Sequence, residues 1–228
     1  HLFEPAPKSY QKLLQNLNES IETEQAIANN CAVSEIEGKR TFYFYQDQPS
    51  WSTFHRRLKV EKELGLVSPE SLMVPVITLD SYCKKMNVKR IHFLKIDTEG
   101  SELEVLRGAR ELLLKGKIDY LQFEYGGTFL DAGVTLEDIF QYLRNMRYEL
   151  FKLSSSRLEH IEQFSSAYED YKYSNFLAVN ERFKSKLLGQ PPKMLNLQDL
   201  CSQYDIVPRG IIHICLLYTS PSPRDRQK

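Results

Sequence analysis

The chain has 228 residues, 42% of them hydrophobic, with 30 Lys plus Arg against 30 Asp plus Glu. That length allows one domain with a full core and a small appendage, and the balanced charge gives no field to draw the chain to nucleic acid or an anionic membrane. The four cysteines (Cys31, Cys83, Cys201, Cys215) form no Cys-x-x-Cys pair, which argues against a disulfide framework or zinc site and for a reducing, cytoplasmic setting. The apolar run Ile211 to Tyr218 contains His213 and falls far short of the ~20 residues of a membrane span.

His1-Leu2-Phe3 reads as the end of a strand, followed by Glu4 and a helix in which Tyr10, Leu13, Leu14, Leu17 and Ile21 recur at helical spacing. Pro7 sits where a first-turn proline is tolerated, since its missing N–H would have no helical partner. Strands are expected at Ala26 to Val33, Thr41 to Tyr45 and Val74 to Thr78, with Glu37-Gly38 as a turn between the first two. The connection from Gln46 to Met73 exceeds the ~12 to 15 residues of an ordinary loop. It reads as a lid, with Ser50-Trp51-Ser52 closing over substrate and His55 nearby. Arg56-Arg57-Leu58-Lys59 reads as a solvated helix face rather than a phosphate site.

Ile91 to Ile96 is a buried parallel strand, with His92 a satisfied core histidine, and it ends in Asp97-Thr98-Glu99-Gly100. Acids at a strand tip mark where the chain leaves the core, because an ionised carboxylate buried without a partner is very costly. In open α/β sheets, ligands bind outside those carboxyl ends. Ser101 and Glu104 are expected to form a capping box on the next helix, whose stripe is Leu103, Leu106, Ala109 and Leu113. Ile118 to Phe123 is a further strand ending in Glu124, and Thr135 caps a helix facing the sheet through Leu136, Ile139, Phe140 and Leu143. Glu149 to Leu153 and Asn175 to Val179 are two last strands, able to pair antiparallel at one sheet edge. Between them Leu158, Ile161, Phe164 and Tyr168 allow a short helix. Alternating strands and helices imply an α/β fold with a parallel sheet covered on both faces.

From Cys215 to Asp225 the composition changes abruptly to Ser-Pro repeats, resembling linker read-through. Residues 211–228 are therefore set outside the fold as a non-native or disordered tail. Residues 1–180 form the expected domain and 181–210 an extension.

Glu4 after the second strand of a dinucleotide-type fold is placed to receive two ribose hydroxyls, since a carboxylate accepts two charge-assisted hydrogen bonds. The structural alternative is a solvated acid at a helix start. Asp97, Glu99 and Glu124 are the candidates for orienting or deprotonating an acceptor. Their clustering also suits a divalent cation, although they can equally cap the helix and answer Lys95 in an ion pair. An enzyme using a nicotinamide cofactor is the alternative open on fold grounds alone.

The segments His1-Leu2-Phe3-Glu4-Pro5-Ala6-Pro7, Ala32-Val33-Ser34 with Glu37-Gly38, Thr78-Leu79-Asp80, Leu94 to Glu102, and Leu106-Arg107-Gly108-Ala109 resemble the FkbM family of methyltransferases in order and spacing. The resemblance spans residue 1 to about Asn180, and Lys95 to Glu102 is its most specific part. It implies a Rossmann-like class I methyltransferase sheet, S-adenosylmethionine as cofactor, and O-methylation of a small-molecule or sugar hydroxyl. On this reading the family's first strand and glycine-rich loop are not in the chain, which is expected to be a truncated fragment, and an inactive fragment is a further alternative. Glu4 would hold the ribose diol, with backbone around Cys31 and Ala32 lining the adenine.

Overall fold

The computed structural model describes residues 1–23, 25–46, 48–64, 68–154, 158–185 and 211–215. In chain order, β1 (Leu2–Phe3) leads into α1 (Pro7–Asn16) and α2 (Asn18–Glu22). Then follow β2 (Ala28–Asn29), β3 (Ala32–Val33), β4 (Gly38–Phe44), α3 (Leu58–Leu64), β5 (Glu70–Ile77), α4 (Leu79–Lys85) and β6 (Ile91–Asp97). After β6 come α5 (Glu102–Gly108), α6 (Arg110–Leu114), β7 (Ile118–Tyr125), α7 (Thr128–Ala132) and α8 (Leu136–Asn145). The chain closes with β8 (Tyr148–Leu153), β9 (Leu158–Ile161), β10 (Ser174–Asn180) and β11 (Ile211–Cys215).

Eight strands form one sheet in the order β2-β1-β11-β6-β7-β10-β8-β9. From β2 to β7 all neighbours run parallel, while β10 is antiparallel to both β7 and β8. A Rossmann-like α/β sheet with an antiparallel region towards one edge is therefore present, as the alternation of elements implied. The central strands read as near-continuous apolar runs because both of their faces are covered. On one face Leu94, Ile96, Leu121 and Phe123 pack with Leu79, Leu106, Leu113, Ile139 and Leu143 of the helices. The other face carries a smaller cluster of Phe93, Tyr120, Phe151, Leu177 and Val179.

Four expectations need correction. The single strand drawn over Ala26 to Val33 is two short strands in different sheets: β2 pairs with β1, whereas β3 pairs with β5 in a separate three-stranded sheet of order β3-β5-β4. The chain turns at Asn30, whose side-chain amide donates to the carbonyls of Glu4 and Pro5 at 2.8 and 3.2 Å. The short helix allowed between Leu158 and Tyr168 is instead a strand, β9, paired antiparallel to β8, followed by a 3-10 turn at Ser166–Tyr168. His92 is half-buried and its Nδ1 has no hydrogen-bond partner among the described residues, which departs from the satisfied core histidine expected.

The fourth correction concerns residue 211 onward. Ile211–Cys215 is a strand of the main sheet, parallel to β1 on one side and β6 on the other. Ile-Ile-His-Ile-Cys has the continuous β-branched character of a buried parallel strand, and the Ser-Pro composition downstream drew it wrongly out of the fold. Its His213 lies beside Lys95. Burial first, then the charges of Lys95 and the chain's amino terminus, push the imidazole down to about 3. Most of the expected extension, and everything after Cys215, lies outside the described residues.

The three-stranded sheet docks on α5 through Gly108. A Cβ there would stand 2.1 Å from the carbonyl oxygen of Ser34, and backbone cannot yield as a flexible side chain can. Gly108→Ala should therefore lower stability by about 1–3 kcal/mol or more, the cost of overpacking a rigid contact, measured as the urea midpoint of unfolding. An unchanged midpoint would mean the two sheets are not held at this point.

Candidate active site at the carboxyl ends of the parallel strands

β6 and β7 are parallel neighbours with Ile96 opposite Phe123, so Asp97 and Glu124 emerge side by side at the same end. The chain after Asp97 turns sharply: Glu99 takes φ +53° and Gly100 φ +108°, so the first is a rare left-handed non-glycine residue. Gly100 is required there twice, by its φ and because a Cβ would meet the Thr128 carbonyl oxygen of α7 at 2.9 Å. The turn brings Glu99 back beside the strand tips. One carboxylate oxygen from each of Asp97, Glu99 and Glu124 lies within 4.8 Å of the others, so all three predicted catalytic candidates meet. Two ionised carboxylates at that separation repel by about 3 kcal/mol at an effective dielectric near 20. Lys95 Nζ, 3.4 Å from Asp97 Oδ2, offsets part of this. Oxygen ligands so spaced are also the donor set of a hard cation.

A small cavity adjoins the tip, lined by Phe3, Cys31, Ala32, Phe54, Thr98 and Ser101 among others. Both Cys31 and Ala32 are on its wall. Burial pushes the Cys31 thiol up to about 11, against a smaller opposing pull from Lys85, so it is a neutral group. Ser101 is buried, and its hydroxyl has no hydrogen-bond partner among the described residues. The cavity holds about 30 Å³, room for one water rather than a purine ring.

Glu4 follows β1 at the same end of the sheet, two strands from β6 with β11 between them. Its side chain is fully buried, and the Ala6 N–H donates to its Oε1 at 2.7 Å. That is the helix-start role weighed as the alternative, although the acid is sealed rather than solvated.

The predicted capping box is absent. Ser101 makes no side-chain cap bond, and Glu104 instead accepts from Ser34 Oγ at 2.7 Å and from Arg40 Nη1. His55 Nε2 lies 3.2 Å from its other oxygen. Burial raises the Glu104 carboxyl, but these three partners outweigh it and hold the acid down at about 2. Glu102 instead takes donors from the turn that precedes the helix. Its Oε1 accepts Thr98 N–H at 2.8 Å and Thr98 Oγ1 at 3.0 Å, and its Oε2 accepts Gly100 N–H at 3.0 Å. Sequence reasoning missed Glu102, because an acid in the first turn of a helix is ordinarily explained by the helix dipole alone.

The long connection after Gln46 is folded onto this end of the sheet. A 3-10 turn at Pro49–Trp51 is followed by buried Ser52 and Thr53. Ser52 Oγ accepts Tyr45 N–H at 3.1 Å, and Thr53 Oγ1 donates to the Glu99 carbonyl at 2.8 Å. Arg57 is not on a solvated helix face: it is buried, with its guanidinium over the Trp51 ring and Nε 3.5 Å from Asp131 Oδ2 of α7.

A mixed α/β sheet whose parallel strands end in convergent acids beside an apolar cavity places the protein in the Rossmann-like class. Residues 1–150 match the model of the methyltransferase FkbM domain, and the chain belongs to that family. It is 26% identical over 117 residues to "Methyltransferase 1" of Beauveria bassiana (strain ARSEF 2860), covering 46% of this chain and 47% of that protein. The chain thus spans about half the length of this curated relative. The crystal structure of a methyltransferase FkbM from Methylobacillus flagellatus KT aligns with a TM-score of 0.46 at 16% identity, over 77% of this chain and 35% of that one.

Glu104 ties the small sheet to α5, and its lowered pKa sets an acid limb. The carboxyl titrates at about 2 in the folded chain against an ordinary 4.5, so the unfolded state binds the proton first. The stabilisation is complete above pH 4.5 and is lost as pH falls towards 2. Allowing for solvent screening, about 1–3 kcal/mol is at stake. Glu104→Gln should flatten that part of a stability profile followed by urea unfolding; an unaltered slope would mean the network contributes nothing.

Proposed function

We propose that the chain binds S-adenosylmethionine at the carboxyl ends of β1, β3 and β6, and that the β6–β7 tip serves O-methylation of a small-molecule or sugar hydroxyl. The observation that carries this reading is the adjacency of two surfaces: an apolar wall containing a buried, unpartnered Ser101 hydroxyl, and the meeting point of three carboxylates. Phe3, Ala32, Val33, Phe42 and Phe54 suit the faces of a flat ring, and Ser101 Oγ is a polar atom available to one edge of it. Entry of a purine requires this wall to open, and Phe54 belongs to the connection laid over the site.

When bound, the cofactor supplies an electrophilic methyl on a sulfonium. The chain's task is then to hold an acceptor oxygen in line and remove its proton, and positioning of that kind contributes several kcal/mol. Asp97 is only half-buried, at the strand tip, and takes the acceptor proton on a carboxylate oxygen. Glu99 and Glu124 orient the hydroxyl beside it, and Lys95 Nζ lies 3.4 Å from Asp97 Oδ2. Glu4 holds the start of α1 at the cavity's rim through Ala6 N–H.

Calorimetric titration with S-adenosylmethionine and, in parallel, with NADH tests the cofactor; tighter binding of the nicotinamide would overturn the reading. For the chemistry, methyl transfer from labelled S-adenosylmethionine is followed across a panel of hydroxylated small molecules and sugars. Asp97→Asn should slow turnover about 10²-fold or more, the ordinary loss on removing a general base, while cofactor affinity changes by less than about twofold. Comparable losses in both would take the proton-accepting role away from Asp97.

A further inference from the structure

Glu102 is a fully buried acid that the chemistry above does not use, and its surroundings are specific. The carboxylate takes three donors, all from the four-residue turn between β6 and α5. That turn is costly to hold, because Glu99 sits in the left-handed region and Gly100 at φ +108°. Two of its residues, Thr98 and Ser101, line the cavity, and Asp97 and Glu99 at its start carry two of the three tip acids. A single side chain therefore bonds the segment that supplies both surfaces of the proposed site.

We propose that Glu102 is a positioning residue whose carboxylate moulds the Thr98–Ser101 turn into its cofactor-binding shape. The inference rests on the cofactor reading given above. The ionised form is the one that fits, because both oxygens serve only as acceptors; a protonated oxygen becomes a donor facing an N–H. Yet the fold itself prefers the proton. Burial raises the carboxyl from its ordinary 4.5 to about 7, with bonds from the turn opposing the rise and Asp97 adding to it. The folded chain holds this proton more tightly than the unfolded chain does, so Glu102 costs stability progressively from pH 4.5 to 7 and by a constant amount above. Shape at the site is thus held against stability. The other charged groups on the elements that meet the turn are Lys95 of β6, Glu99 within it, Glu124 of β7, Asp131 of α7 with Arg57 of the connection, and Glu104 on the same helix with His55. These groups are the same in the unsubstituted protein and in a Glu102 variant, so the difference between the two isolates Glu102.

The test compares the chain with Glu102→Gln, which keeps the volume but turns one acceptor into a donor. With S-adenosylhomocysteine as probe, calorimetry at pH 8 should show at least a tenfold weaker affinity for the variant. Unsubstituted protein should lose affinity as pH falls through 7, a step the variant lacks. The variant's melting temperature at pH 8 should equal or exceed that of the unsubstituted protein, whereas a merely structural role predicts a lower one. In amide NMR spectra without ligand, Thr98 and Gly100 should titrate near pH 7 only when Glu102 is present. Equal affinities at pH 8, or amides that do not titrate near pH 7, would overturn the proposal. If the unsubstituted chain bound no S-adenosylhomocysteine, the cofactor reading would fail, and the amide titration would still decide the role of Glu102.

Discussion

The close approach of the β6–α5 turn to its surroundings is the constraint on which the rest of the site depends. Gly100 lies so near the Thr128 carbonyl that no side chain fits, Thr53 binds the Glu99 carbonyl from the other side, and Glu102 takes the turn's amide protons from within. Two elements distant in sequence and the adjoining helix are thereby fixed to four residues. An unbonded amide in such a place would cost about 1–3 kcal/mol, which is why a buried acid is tolerated here at all.

The same economy explains how the three-stranded sheet is attached. Its contact with the main body runs through Gly108 against Ser34 and through Glu104 against Ser34 and Arg40. Arg40 lies on β4 and Ser34 directly after β3, so one helix side chain grips both ends of the small sheet. Because Ala32 and Val33 line the cavity from that sheet while Thr98 and Ser101 line it from the turn, the docking of the two bodies sets the cavity's width. Stability and site geometry are consequently coupled through α5.

The main sheet was legible in the sequence wherever burial on both faces left an uninterrupted apolar run. Ile91 to Ile96 and Ile118 to Phe123 could be read that way, and the Thr135 cap of α8 is present with its partner Asp138 in a full box. The meeting of Asp97, Glu99 and Glu124 followed from the same logic, since neighbouring parallel strands deliver their ends together. What could not be read was long-range. Asn30 breaks a strand by bonding backbone carbonyls 25 and 26 residues away, and Glu104 leaves its local cap for partners 64 and 70 residues distant. Local spacing carries no signal for such choices. The exclusion of Ile211–Cys215 was a different error, in which the composition of the following segment outweighed a sound strand pattern.

The charge balance at the tip constrains what its acids can do. Three carboxylates meet within 4.8 Å, with the Lys95 ammonium 3.4 Å from one of them, and in a partly desolvated place mutual repulsion of that kind favours taking up a positive charge. A proton arriving from an acceptor hydroxyl meets that need, as does a hard cation bridging the same oxygens. Both lower the energy of the cluster for one reason, the relief of carboxylate repulsion. On the proposed reading, a proton taken from the acceptor leaves an oxygen ready to attack, and Asp97, half-buried beside the ammonium of Lys95, receives that proton. In that proposal the cluster's repulsion helps draw off the proton, while Glu99 and Glu124 orient the hydroxyl that reaches it.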